Sequence, residues 1–197
     1  MPQDEKKWLR LAQKGDAHAF ARLVDLHARP VYNLCFRMLG SSQDAEDAAQ
    51  ETFLRAFRSF GRYDPERKFL IWLLSIAANH CIDRYRRSKE KMLSLEDAPI
   101  GTLRDAQAGP EALALRGETR DELQVLLISL DPRDRAAIVL HYWHDFSYEE
   151  IAMQLSMTES ALKSRLHRAR QVLASGWQQA QAQPVRAERR TYERATF

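Results

Sequence analysis

Between Phe146 and Arg170 the chain reads Phe146-Ser147-Tyr148-Glu149-Glu150-Ile151-Ala152, then Ser156-Met157-Thr158, then Ala161-Leu162-Lys163-Ser164-Arg165-Leu166-His167-Arg168-Ala169-Arg170. These residue types suit hydrogen bonding and ion pairing with nucleic acid: short hydroxyls and a histidine that reach base edges, and cations that meet phosphates. Ser147 followed three residues later by Glu150 is a capping box, so a helix is expected from Tyr148 with Ile151 and Leu155 turned inward. After a three-residue turn, Leu162, Leu166, Ala169 and Leu173 recur at helical spacing and define a buried stripe. Ser160, Lys163, Ser164, His167, Arg168 and Gln171 fall on the opposite face, and Arg165 and Arg170 flank that row as expected phosphate contacts. The layout is a helix-turn-helix with a basic second helix. The competing reading is a solvated amphipathic helix that binds nothing.

One other constellation has metal-ligand spacing. His141 and His144, beside Asp145, form an i, i+3 histidine pair. No third ligand follows at a recognisable distance, and Tyr142-Trp143 between them points to packing. No Gly-rich phosphate loop or nucleophile elbow supports nucleotide hydrolysis or acyl transfer, and no metal or cofactor is expected.

The elements that must position this motif are helical. With 7 Gly and 7 Pro in 197 residues and few β-branched runs, the composition predicts an all-α protein, and the length allows two modest helical cores. Helical periodicity runs through Phe20, Leu23, Val24, His27, Val31, Leu34, Cys35 and Met38 and stops at Gly40. Ser41 caps a second helix rich in acids (Asp44, Glu46, Asp47, Glu51), whose apolar row is read as Phe53, Ala56, Phe57 and Phe60. Gly61 to Lys68 reads as a loop. Phe69, Trp72, Leu73 and Ile76 open a helix ending in a basic cluster, Arg84, Arg86 and Arg87 with Lys89 and Lys91. Residues 1–87 are therefore expected as one domain, 88–109 as a linker, 110–177 as a second domain, and 178–197 as a disordered basic tail. In the second domain Leu123, Leu126, Leu127 and Leu130 precede a helix capped by Asp131-Pro132, with Ala136, Val139, Leu140 and Trp143 as its stripe.

A net charge of +3 is mild, so the local basic and acidic clusters say more about partners than the total. Cys35 and Cys81 sit in apolar helical contexts and are expected as buried free thiols, which fits a reducing, cytoplasmic compartment. No apolar stretch approaches a membrane span, and the N-terminus lacks a signal core, so no membrane insertion is expected.

Over almost its whole length the chain resembles an extracytoplasmic-function RNA polymerase sigma factor of the sigma-70 family. The likeness to region 2 lies in Asp44-Ala45-Glu46-Asp47-Ala48-Ala49-Gln50-Glu51-Thr52-Phe53-Leu54 and in Phe69 to Asn79 with Asp83 and Arg84; that to region 4 runs from Leu130-Asp131-Pro132 to Arg170. The resemblance implies a transcription initiation factor without catalytic activity, monomeric when free, that binds core RNA polymerase and promoter DNA, with an anti-sigma factor as a further partner. By the same likeness, Asp44, Asp47, Gln50, Glu51 and Leu54 are expected on polymerase. Arg62, Tyr63, Arg67, Lys68, Asn79, Asp83, Arg84 and Arg87 are expected at the minus-10 element, and Ser160, Lys163, Ser164, Arg165, His167 and Arg168 at the minus-35 element. For Asn79 the helical wheel leaves open a buried structural role near Trp72. The chain departs from the family in having Ser75 and Ala78 where arginines are common, and Ser160-Ala161 in place of Gly-Thr. A stand-alone helix-turn-helix repressor is the alternative reading; it leaves the acidic helix and the basic cluster without a role.

Overall fold

The structure is a computed structural model and describes residues 3–93 and 114–182. Among the described residues every regular element is a helix. The first unit contains α1 (Gln3–Gln13), α2 (Ala17–Leu39), α3 (Ser42–Ser59), a single 3-10 turn (Phe60–Arg62) and α4 (Phe69–Leu93). The second contains α5 (Ala114–Ser129), α6 (Pro132–His144), α7 (Tyr148–Gln154) and α8 (Glu159–Ala182).

Local chemistry sets the helix ends. The Asp16 carboxylate accepts from the amides of His18 at 2.9 Å and Ala19 at 3.1 Å, satisfying two orphan donors at the start of α2. Gly40 ends that helix in the left-handed region (φ 80°) and donates back to the Phe36 carbonyl at 2.8 Å. Ser41 caps α3, and Asp131 with Pro132 at the first helical position caps α6, as their spacing predicts.

The first core is built on a row of small residues. Ala45, Ala48, Ala49, Thr52 and Ala56 are buried along one face of α3, so this helix lies close against α2 and α4. Thr52 returns its hydroxyl to the Ala48 carbonyl at 2.7 Å and leaves no unmade bond. The sequence row of Phe53, Ala56, Phe57 and Phe60 is therefore only half right: Phe60 is buried, but Phe57 is 48% exposed and Phe53 packs at the edge. Leu23, Val31, Leu34 and Cys35 of α2 meet Phe69, Leu73, Leu74, Ala77 and Cys81 of α4 in the centre of the unit. Both cysteines are free and fully buried, and contact with Cys35 together with burial pushes the Cys81 thiol far up, so Cys81 is not a ready nucleophile.

Three boundaries differ from expectation. The helix α4 continues past Arg87 to Leu93, and α8 continues past residue 177 to Ala182. A first helix, α1, precedes the expected one; Glu5 on it is buried and pairs with the buried His27 of α2 at 3.1 Å. The Pro110 start, the rest of the linker from 94 to 109, and the tail from 183 onward lie outside the described residues.

Candidate nucleic-acid and polymerase interfaces

The helix-turn-helix is positioned by short-range bonds. Ser147 donates its amide to the Glu150 carboxylate at 2.7 Å and its hydroxyl accepts from the Glu150 amide at 3.2 Å, a complete capping box at the start of α7. Thr158 caps α8 through the Ala161 amide at 3.2 Å. In the turn between them Ser156 adopts φ 53°, a left-handed conformation without glycine. Leu162, Leu166 and Ala169 are buried against α6 and α7, which leaves the opposite face of α8 to solvent.

On that face Ser160, Lys163, Ser164, His167, Arg168 and Gln171 are all exposed. Their orientation suits a helix laid into a major groove, with short polar side chains toward base edges and cations beside them. Lys163 lies over the Tyr148 ring at 6.0 Å and 3.8 Å from Glu159, contacts loose enough for solvent to compete. The Ser164 hydroxyl donates to the Ser160 carbonyl at 3.1 Å and keeps its lone pairs for another donor. Arg165 departs from its expected place. Its guanidinium turns inward and donates to Asp134 at 2.6 Å, with Asp131 at 3.7 Å, so it ties α8 to the start of α6 instead of standing free for phosphate.

The loop from Gly61 to Lys68 rests on an aromatic box. Phe60, Tyr63, Phe69 and Trp72 meet with ring centroids between 5.2 and 5.9 Å apart, mostly edge to face or tilted. Tyr63 is buried, and its hydroxyl donates to the Arg67 carbonyl at 2.6 Å. Burial, with Glu5 and Asp64 adding to it, pushes that phenol up to about 12, so it stays a neutral donor. Tyr63 is therefore a support of the loop, contrary to its expected place among the contacting residues. Arg62, Arg67 and Lys68 remain exposed. Along α4, Asn79, Asp83 and Arg87 recur every four residues on one exposed stripe, so the buried reading of Asn79 is set aside. Its neighbours Ala78 and His80 take the buried positions, and the His80 Nδ1 has no hydrogen-bond partner. Burial first, then Arg55, holds that ring below its ordinary value.

The acidic helix carries two kinds of carboxylate. Asp44 is bonded to Arg84 of α4, with Asp47 3.8 Å from the same guanidinium, and Glu51 accepts from Arg55 at 2.7 Å. That bond holds the Glu51 carboxyl below its usual range. The pairing joins a residue expected on polymerase to one expected on DNA and neutralises both. Asp47, Gln50, Leu54 and Phe57 form the open row, and Leu54 is 51% exposed. An exposed apolar pair flanked by acid and amide is suited to docking another protein's helix. Of the two histidines with metal spacing, His141 has its Nδ1 3.1 Å from the Phe146 carbonyl and its ring between those of Tyr142 and Tyr148; no group of three potential ligands occurs among the described residues.

One residue that the sequence reading passed over organises the meeting of the two units. Arg135 is 1% exposed; it donates to the Met38, Ile128 and Leu130 carbonyls, and its charge faces the Tyr85 ring at 5.4 Å. An arginine three residues inside an ordinary helix start gives no signal of such a role.

A helical unit with an open acidic-apolar row, followed by a helix-turn-helix with a polar-cationic outer face, defines a two-domain helical transcription factor. Residues 23–91 match the family model for Sigma-70 region 2 and residues 120–173 that for Sigma-70 region 4. The chain is 37% identical over 175 residues to the ECF RNA polymerase sigma factor SigW of Bacillus subtilis, covering 85% of this chain and 94% of that protein. It is 30% identical over 179 residues to the RNA polymerase sigma-H factor of Pseudomonas aeruginosa, covering 87% and 92%. Among solved structures it is similar to CnrH, determined in complex with the cytosolic domain of CnrY, with a TM-score of 0.65, 26% identity, and coverage of 90% of this chain and 99% of that one. The chain belongs to the ECF RNA polymerase sigma factors and acts in promoter-directed transcription initiation.

Proposed function

We propose that the two units divide promoter recognition and polymerase docking as their open surfaces suggest. The row Asp47, Gln50, Leu54 and Phe57 on α3 docks on core polymerase, with Glu51 at its border. The loop residues Arg62, Arg67 and Lys68 and the α4 stripe of Asn79, Asp83 and Arg87 take up the minus-10 element, the Asn79 amide offering donors and an acceptor to an unpaired base. Ser160, Lys163, Ser164, His167 and Arg168 read the minus-35 element in the major groove. The observation that carries this reading is the exposed polar-cationic face of α8 held opposite a buried apolar one.

The protein itself is not an enzyme in this reading, and it works in the cytoplasm; no helix among the described residues is long and apolar enough to cross a membrane. CnrH was solved with the cytosolic domain of CnrY, and the sigma factor RpoE of Bartonella quintana with the anti-sigma factor NepR; an anti-sigma factor is the expected regulator of this chain.

Transcription in vitro from a library of promoter variants, with core polymerase and this protein, tests the reading. Lys163→Ala is expected to relax preference at one minus-35 position, and Asn79→Ala at one minus-10 position, while both proteins keep their melting temperature. Uniform loss across all promoters would reject direct readout by these side chains.

A further inference from the structure

Glu5 stands where helical period calls for an apolar residue. On α1 it shares one stripe with Leu9 and Ala12, and it is buried as deeply as they are where α1 packs on α2. Its carboxylate lies 3.1 Å from Nε2 of the buried His27 of α2. A carboxylate only accepts, so Nε2 carries the proton of that bond. Taking an acid and an imidazole out of water costs more than burying two leucines, and pairs of this kind are often no more stable than an apolar replacement. What the pair adds is direction. A hydrogen bond sets a distance and a ring orientation, which apolar contact leaves free to slide.

The ring so oriented packs against the foot of the loop proposed for the minus-10 element. His27 meets Phe69 with ring centroids 5.3 Å apart, and Phe69 meets Tyr63 edge to face at 5.4 Å. Helix α1 also packs on the 3-10 turn Phe60–Arg62, from which the loop departs. Burial first, then the charge of Glu5, push the Tyr63 phenol up, so the carboxylate is within electrical reach of the loop's anchor. Tyr63 in turn holds the loop through the Arg67 carbonyl at 2.6 Å, and the Arg67 amide closes a turn on the Asp64 carbonyl at 3.1 Å. The directions in which Arg62, Arg67 and Lys68 leave the backbone therefore follow from where Tyr63 and Phe69 sit, and His27 sets that place.

We propose that the Glu5–His27 pair is a positioning element for promoter selection: from beneath the aromatic box it fixes the shape of loop 61–68, and thereby which minus-10 bases the loop accepts. The proposal rests on the assignment of that loop to the minus-10 element. Glu5 and His27 touch no DNA in this role; they act through Phe69 and Tyr63. Because the core of the unit is held by its apolar residues, loss of the pair shows in selectivity and not in melting temperature.

The test uses the full chain assembled with core polymerase, transcribing a promoter library randomised at the minus-10 and minus-35 elements. Glu5→Leu combined with His27→Leu replaces the pair by apolar bulk. This double variant is expected to melt at or above the wild-type temperature. Its preference for the best base at one or more minus-10 positions should fall roughly three- to tenfold, with minus-35 preference and polymerase affinity unchanged. Glu5→Gln, whose amide oxygen still accepts from Nε2, should keep the wild-type profile. A purely structural pair would leave the folded double variant with the wild-type profile or lower all promoters equally, and either result overturns the positioning role. So does a Glu5→Gln profile as relaxed as that of the double variant. If the double variant does not melt cooperatively, Glu5→Ala decides by the same comparison. Lys68→Ala in the same library keeps the two claims apart. A minus-10 change with Lys68→Ala but not with the double variant removes only the role of Glu5 and His27, whereas no change with either removes the loop itself from the minus-10 element.

Discussion

Arg165 and Asp134 are joined by a 2.6 Å charge-assisted hydrogen bond that fastens the second turn of α8 to the first turn of α6. Both side chains are largely shielded, at 29% and 18% exposure, so the pair is worth more than a typical surface bridge. Arg165→Ala is expected to destabilise the second unit by roughly 1–2 kcal/mol and to leave the salt dependence of minus-35 binding nearly unchanged. Lys163→Ala is expected to do the reverse, costing roughly 1–3 kcal/mol on the best site without lowering the melting temperature. Thermal melts paired with salt-titrated DNA binding check this. A drop of about one unit in the salt slope for Arg165→Ala would show that its guanidinium leaves Asp134 for a phosphate on binding.

A second pair separates structure from docking within region 2. Asp44 is bonded to Arg84, whereas Asp47 reaches the same guanidinium only at 3.8 Å and is mostly exposed. Asp44→Lys should therefore lower the stability of the first unit by about 1 kcal/mol through repulsion with Arg84. Asp47→Lys should weaken assembly with core polymerase severalfold at nearly constant melting temperature. Equal polymerase affinity for wild type and Asp47→Lys would remove α3 from the docking surface.

The helix-turn-helix and its caps were legible in the sequence because their causes are local. Ser147 with Glu150, Asp131 with Pro132 and Ser41 with Asp44 each act within three residues, and the Leu162, Leu166, Ala169 stripe follows from helical period alone. What escaped is long-range or made by backbone. The acceptor carbonyl of Met38 lies 97 residues from Arg135, and a carbonyl leaves no trace in residue identity. The Arg84 link to Asp44 spans 40 residues, so two residues assigned to different partners turned out to hold each other. Helix α1 was missed because its buried face includes Glu5, a charge that interrupts the apolar stripe and is explained only by His27. Tyr63 was misplaced for the opposite reason: a tyrosine in a polar loop looks available, and only the aromatic box shows that it is not.

Ser156 sits in the helix-turn-helix turn at φ 53°, where an L side chain carries a steric cost of roughly 1–2 kcal/mol. Glycine removes that cost but gains freedom in the unfolded chain, which takes back part of the benefit. Ser156→Gly is accordingly expected to raise the stability of the second unit by about 0.5–1 kcal/mol with minus-35 affinity unchanged. Urea unfolding of the two proteins decides it; a destabilised Ser156→Gly would mean that the serine side chain supplies a bond that outweighs the strain.

The pH response should come from histidines that the fold keeps neutral. His144, at the end of α6, is pushed down to about 4 by burial first and then by Arg37 of α2, with Asp145 opposing. His27 is also lowered, by burial, although Glu5 pulls it back. For both, the unfolded chain takes up the proton more readily than the folded one. Their contribution to stability is therefore complete above the unfolded value near 6.5 and is lost as the pH falls below it, for His144 down to about 4. The loss approaches at most ~1.4 kcal/mol per pH unit for each ring, less where water reaches it. A proton on His144 also sets a second positive charge beside Arg37, so acidification toward pH 4 is expected to lower the melting temperature. Thermal melts followed by circular dichroism between pH 7 and pH 4 should show that fall. His144→Phe, which keeps the ring volume and removes the proton site, should flatten the response. An unchanged pH midpoint in that variant would transfer the effect to His27 and the Glu5 pair.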